Sequence, residues 1–138
     1  MKVYAVFDTN IIVSALISRR SDTAVVLALE TLFAGEVIPL YNDEILKEYE
    51  YVLHREKFHL PESFIAATIN QIKKDGIASE RIHSDESFPD PSDVVFYEVA
   101  LSKADAYLVT GNIKHFPNIP IDVTPAEMME ILQREGVL

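Results

Sequence analysis

Two short apolar runs, each cut off by a polar triplet, constrain this chain most. Lys2 to Phe7 (KVYAVF) is β-branched and aromatic, with the near-continuous apolarity of a strand buried on both faces, and it stops at Asp8-Thr9-Asn10. Ala106 to Thr110 (AYLVT) is the second such run, broken by Gly111-Asn112. Between them the apolar residues shift to helical spacing. Thr9 to Ile17 predicts a helix with Thr9 or Asn10 as cap, and a second helix runs from Ser21 or Asp22 to Ala34, before Gly35. Val37 to Tyr41 reads as a strand despite its proline. Asn42 or Asp43 can cap a helix from Glu44 to Arg55, and Pro61 opens another that ends near Gly76. Ile77 to His83 is a weaker strand candidate. Ser84 to Ser92 (SDESFPDPS) is a loop leading into a helix to about Ala104, and Ile121 to Val123 is a last short strand. Thr124-Pro125-Ala126-Glu127 combines a capping box with proline at the first helical position and starts a closing helix to about Arg134.

Strands alternating with helices require right-handed crossovers. The expected architecture is a three-layer α/β/α sandwich around a central, mainly parallel sheet, formed by residues 1–138 as one domain. In such sheets ligands bind beyond the carboxyl ends of the strands, where Asp8-Thr9-Asn10 and Thr110-Gly111-Asn112 fall. With 49% hydrophobic and 25% charged residues, the 138-residue chain has a core to bury and is no disordered tail. No apolar stretch approaches the roughly 20 residues of a membrane span, and no leader pattern precedes Lys2, so the expectation is a soluble, unprocessed protein. The absence of cysteine agrees with a reducing cytoplasm and removes thiolate chemistry. A net charge of −10 argues against nucleic-acid binding by counterion release alone. It does not argue against a nuclease, because carboxylates gathered to hold a divalent cation add negative charge to the chain without it.

The placement of the acids therefore matters more than their number. Asp8 ends a strand and precedes a helix, so a cap or Asx-turn is the plain alternative to a site role. On the helix from Glu44, a rotation of about 100° per residue gathers Ile45, Leu46, Tyr49, Val52 and Leu53 into one stripe. Glu48 and Glu50 flank it on opposite sides, and Glu44 points further into solvent. Glu44 and Glu48 form a like-charge i,i+4 pair that weakens a helix unless a cation lies nearby. On the helix after Pro91, Val94, Phe96, Tyr97, Ala100, Leu101 and Ala104 form an apolar arc with Asp93 near its middle, while Glu98, Ser102 and Lys103 face away. An inward carboxylate needs backbone donors, a basic partner or a metal. Asp90 or Ser92 can cap that helix, which frees Asp93 for another role.

These residues carry a resemblance. AVFDTNIIVSAL (Ala5 to Leu16), EILKEYEYVL (Glu44 to Leu53), DPSDVVFYEVALSKADAYLVTGNIKHF (Asp90 to Phe116) and TPAEMMEIL (Thr124 to Leu132) resemble a PIN domain. Within that family the chain is most similar to the toxin components of toxin–antitoxin systems, the VapC toxins. The resemblance implies a Mg²⁺- or Mn²⁺-dependent endoribonuclease restrained by a small antitoxin protein, leaving a 5′-phosphate and a 3′-hydroxyl. It places the family's first acid on Asp8, its helical glutamate on Glu48 and its third acid on Asp93. Thr9, Asn10 and Thr110 match polar positions around that site. A fourth acid common in relatives is replaced here by Asn112, which can bond a metal-bound water but brings no charge and no base. One metal or two is left open, with His115 as a substitute base if it turns inward.

The chemistry suits these groups. An anionic phosphodiester repels hydroxide, so hydrolysis needs a hard cation, and Mg²⁺ and Mn²⁺ prefer oxygen ligands. The expected roles are Asp8 and Asp93 as principal ligands, Glu48 as a ligand through water or an orienter of the nucleophile, and Asn112 as a supporting group. Arg19, Arg20, Lys57, Lys114 and His115 are the basic candidates for an RNA backbone. His54, His59 and His83 have no metal-ligand spacing. Two other readings are an aspartyl-phosphate phosphohydrolase, for which Asp8-Thr9-Asn10 lacks a second aspartate, and a PIN-fold module that binds RNA or an antitoxin without turnover. A partner helix or a second copy in a homodimer is expected to cover apolar surface near the early helices.

Overall fold

The computed structural model describes residues 2–138. Five parallel strands form one sheet in the order β3-β2-β1-β4-β5, and helices cover both its faces in three layers, as the alternation of elements requires. The strands are β1 (Val3–Phe7), β2 (Val37–Tyr41), β3 (Ile77–Ala78), β4 (Tyr107–Val109) and β5 (Asp122–Val123). The helices are α1 (Thr9–Ile17), α2 (Ala24–Phe33), α3 (Asp43–Leu53), α4 (Glu62–Asp75), α5 (Val94–Ala100) and α6 (Pro125–Arg134). Central β1 pairs on one side with β2, Val3 opposite Val37, and on the other with β4, Phe7 opposite Val109. The strand order thus reverses between β1 and β4. In an open parallel sheet that reversal leaves a crevice beyond the strand ends.

Local chemistry starts α3 and α6 where the sequence suggests; α2 begins later than Ser21 or Asp22, at Ala24, and Asp8 takes the N-cap position of α1 expected for Thr9 or Asn10. Thr23 accepts from the Val26 N–H to start α2, and Asn42 accepts from the Ile45 N–H at 2.8 Å to start α3. At α6 the full capping box forms: Glu127 N–H donates to Thr124 Oγ1 at 3.1 Å, and Thr124 N–H donates to Glu127 Oε1 at 2.9 Å. The core is continuous from β1 through Ile12, Leu32, Leu40, Ile45, Ile72, Phe96 and Leu108 to Met128. At the end of α4, Gly76 has no substitute. A β-carbon there would lie 2.4 Å from the Ile72 carbonyl oxygen and 2.7 Å from that of Pro39, so only glycine lets α4 close onto β2.

Three expectations change. The strand expected over Ile77 to His83 stops at Ala78; beyond it the Ile82 N–H donates to the carbonyl of Glu98 at 3.0 Å, so the segment leaves the sheet and crosses α5. The helix expected to run to about Ala104 opens as a 3-10 turn at Pro91–Asp93 and ends at Ala100, leaving Leu101 exposed. Glu98, expected to face away from the core, is buried. The crossing segment is the reason: Arg81 Nε donates to Glu98 Oε1 at 2.7 Å, and the Ser84 N–H donates to Glu98 Oε2 at 2.7 Å. Burial alone would push this carboxyl up; the Ser84 and Arg81 donors outweigh it and hold Glu98 below the usual carboxylate range. Arg81 also reaches Glu44 Oε2 at 2.8 Å, tying the crossing segment to α3.

Candidate functional site

Asp8 leaves β1 at the crevice. Its backbone N–H donates to the Val109 carbonyl at 2.9 Å, which extends the β1–β4 pairing by one residue. Asp8 occupies the N-cap position of α1, where the Thr9 and Asn10 N–H groups face its carboxylate without closing a capping bond, and it accepts from Thr110 Oγ1 at 2.8 Å. Asp93 repeats the arrangement at α5, as an N-cap residue with no capping bond from its side chain. Asp90 does the capping there, accepting from Ser92 N–H at 3.0 Å and from Ser92 Oγ at 2.8 Å. Glu48 reaches the same region from α3 and accepts from Thr9 Oγ1 at 2.7 Å. Below it the Tyr49 hydroxyl donates to the Phe7 carbonyl, fastening α3 to the end of β1.

The three acids selected from sequence line one cavity of about 170 Å³, together with Thr9 and Asn10. Asp90, Ser92, Val52 and Arg55 complete its wall. Electrostatics couple the acids. Burial raises the Asp8 carboxyl, with the bond from Thr110 opposing first and the backbone N–H groups of Asn10 and Thr9 after it. Burial also raises Glu48; Thr9 opposes this, and the charges of Asp8 and Asp90 add to it. Asp93 is pushed up to about 6, first by burial and then by Asp8 and Asp90, with His115 pulling the other way. Neighbouring acid charge thus adds to burial at Glu48 and Asp93, whereas the Ser92 backbone and hydroxyl hold Asp90 below the usual carboxylate range; a cation in the cavity would favour the ionised form of the two raised acids.

The other sequence candidates lie further out. Thr110 is fully buried and serves as the donor to Asp8. His115 stands at the edge, Nδ1 3.6 Å from Asp93 Oδ2, with about half its side chain exposed. Asn112 and Lys114 are exposed and lie outside the cavity wall; Asn112 contributes its backbone N–H, which donates to Thr110 Oγ1 at 3.0 Å. Sequence reasoning took Asp90 only for a cap and passed over Arg55. Both had a signal: Asp90 precedes Asp93 by three residues, and Arg55 follows Glu48 by seven, just past the end of α3.

The donor set fits a hard divalent cation, because every acidic side chain offered is a carboxylate and the nearby hydroxyls are already engaged in holding Asp8 and Glu48. Among the described residues, no three His, Asp or Glu side chains converge on a point in the manner of a finished metal centre. The cavity is therefore an acidic cup that a cation would draw together.

Among the described residues no helix is long and apolar enough to cross a membrane. No curated protein matches the chain. A family model described as PIN domain matches residues 4–114. PIN domains are typically nucleases that act on nucleic acid with divalent metal ions. Because the matched residues take in β1, the α3 glutamate, the Asp90–Asp93 turn and the end of β4 in their order along the chain, this protein belongs to the PIN domain family.

Proposed function

We propose that the protein is a Mg²⁺- or Mn²⁺-dependent endoribonuclease acting as the toxin of a toxin–antitoxin pair, with residues 1–138 as one PIN unit. The observation that carries the nuclease reading is the meeting of Asp8, Glu48 and Asp93, from three remote stretches, in one cavity at the sheet's switch point. The single-unit reading is supported beyond the family match by β5, which pairs with β4, and by α6, which packs on α2. For an antitoxin or a second copy, the early helices leave Ile17 and Phe33 exposed.

Asp8 and Asp93 would hold the cation, with Glu48 beside them. When bound, such a cation supplies Lewis acidity: it offsets the charge of the phosphodiester and lowers the pKa of a water. The chain's own residues do the rest. Thr110 and Thr9 hold Asp8 and Glu48 in fixed orientations, so little reorganisation accompanies reaction. Glu48, raised by burial and its neighbours, is placed to accept a proton from the attacking water. Arg55 on the cavity wall offers a guanidinium to the phosphate, and Asn10 a side-chain amide. Asn112, His115 and Lys114 lie along the outer edge and are assigned to substrate contact.

The test is cleavage of a panel of structured RNAs by wild-type protein and by Asp8→Asn and Asp93→Asn variants, with Mn²⁺, with Mg²⁺ and with EDTA. Metal-dependent cleavage lost by at least about 100-fold in both variants is the expected result. Equal cleavage by all three proteins would assign it to a contaminant. RNA binding without cleavage by any of them would favour the binding module.

A further inference from the structure

On the outer face of α3, next to the acidic cavity, lies a broader trough of about 570 Å³ lined by Lys47, Glu50, Tyr51, His54 and Arg55. Lys47, Tyr51 and Arg55 are four residues apart in turn and so form one ridge along the helix and its end. Tyr51 is the most exposed of the large apolar and aromatic side chains, at 68%. The core does not use it. The Arg55 guanidinium lies 5.7 Å from the centre of its ring, within cation–π range, which steadies the ring while leaving most of it in solvent. Arg55 is also part of the acidic cavity's wall, so the two sites share a side chain.

The charge of the trough runs against that of the molecule. In a chain of net charge −10 it collects three cationic groups. His54 counts as one because its Nδ1 faces the Glu50 carbonyl at 2.6 Å and its Nε2 faces Glu62 Oε2 at 2.5 Å. Both partners are acceptors, an arrangement that favours the doubly protonated ring and raises the His54 imidazole above its ordinary value, the Glu50 carbonyl first and Glu62 next. Against these stand Glu50 in the trough and Glu62 behind His54. An exposed aromatic ring set among cations, beside the acidic cavity, has the composition of a platform for single-stranded nucleic acid.

We propose that Tyr51 stacks a base of the RNA substrate, with Lys47, His54 and Arg55 holding the flanking phosphates, so that the strand crosses the α3 ridge before entering the acidic cavity over Arg55. The substrate class rests on the nuclease reading; the platform rests on the ring and its cations. Stacking on a ring of this kind is tolerant of sequence, so the subsite sets strand path and affinity and not base identity.

The experiment is fluorescence anisotropy of a labelled single-stranded oligoribonucleotide of about 12 nucleotides, in EDTA and again with Ca²⁺, on wild type, Tyr51→Ala and Tyr51→Phe, each first shown to melt as wild type. Tyr51→Ala is expected to weaken binding about tenfold and Tyr51→Phe to stay within about twofold, because stacking needs the ring and not the hydroxyl. Oligonucleotides carrying one abasic position, scanned along the strand, should at one register erase the difference between wild type and Tyr51→Ala. Unchanged binding by Tyr51→Ala, or equal loss in Tyr51→Phe, overturns the proposal. Tyr51-dependent binding without cleavage in Mn²⁺ would sink the nuclease reading and leave the platform. Cleavage that needs Asp8 and Asp93 but ignores Tyr51 would sink the platform alone. Wild type that binds no RNA would sink both.

Discussion

Thr110 Oγ1 donates a 2.8 Å hydrogen bond to Asp8 Oδ2, joining residues 102 positions apart at the carboxyl edge of the sheet. The same hydroxyl oxygen accepts the Asn112 N–H at 3.0 Å, so its own proton has one place to go. The hydroxyl therefore fixes both the position of the Asp8 carboxylate and the turn after β4.

Replacing that hydroxyl tests the arrangement. Thr110→Val keeps the volume but leaves a buried carboxylate oxygen and an N–H without partners, a loss of about 1–3 kcal/mol in urea unfolding. It also removes the largest of the bonds that oppose the rise of Asp8, so the acid limb of a cleavage pH profile should move to higher pH. Thr110→Ser should behave close to wild type. A valine variant with unchanged stability and an unchanged profile would show that Asp8 is oriented by something else.

The acid cluster predicts a linkage between pH, metal and stability. Asp93 titrates at about 6 in the folded chain against 3.8 for an unperturbed aspartate, so the native state holds the proton more tightly than the unfolded chain. The stability this provides is complete below about pH 4 and is lost as pH rises through about 6. A cation in the cavity replaces the proton. Mg²⁺ should therefore raise the melting temperature by about 4 °C or more at pH 7.5 and by much less at pH 5, where protons compete with it. Scanning calorimetry of wild type and Asp93→Asn checks both parts; the variant should lose most of the Mg²⁺ effect. An equal Mg²⁺ shift at both pH values would place the cation elsewhere.

Away from the site, Asp122 on β5 is buried, and no side chain bonds either of its carboxylate oxygens. Burial pushes it up to about 6, with the backbone at Ile119 opposing only in part. Its sign is that of Asp93: the contribution is present in acid and lost as pH climbs past about 6. Asp122→Asn removes the charge at constant shape and is expected to stabilise the protein by about 1–2 kcal/mol at pH 7.5, allowing for partial solvation, and by nearly nothing at pH 4. Urea unfolding at the two pH values, with cleavage as a control that should not change, decides it. Destabilisation at pH 7.5 would mean that Asp122 has a partner.

Much of the fold was legible because its signals are local. The apolar run of β1, the stripe on α3 and the Thr124–Glu127 capping box each operate within a few residues, and each forms where the sequence places it. Asp8, Glu48 and Asp93 stood out for the same reason, as acids at a strand end or against an apolar stripe. Glu98 shows the limit. Helix projection turned it outward, and only a segment 14 to 17 residues earlier, carrying Arg81 and Ser84, makes its burial tolerable. Asp90 and Arg55 differ from Glu98: each lies within a few residues of a selected acid, and the meeting of those elements brought both onto one wall.

By itself, then, the sequence determined the alternation of elements, the parallel sheet and the identity of the acids at its carboxyl edge, since periodicity, capping and strand termination are properties of neighbouring residues. Only the tertiary structure decided that those acids share one cavity, that Thr110 from the end of β4 bonds the Asp8 carboxylate, and that Arg55 borders both the acidic cup and the Tyr51 trough. Those relationships depend on strand order and on segments far apart in the chain, and the free energy that selects them is the burial of a common core.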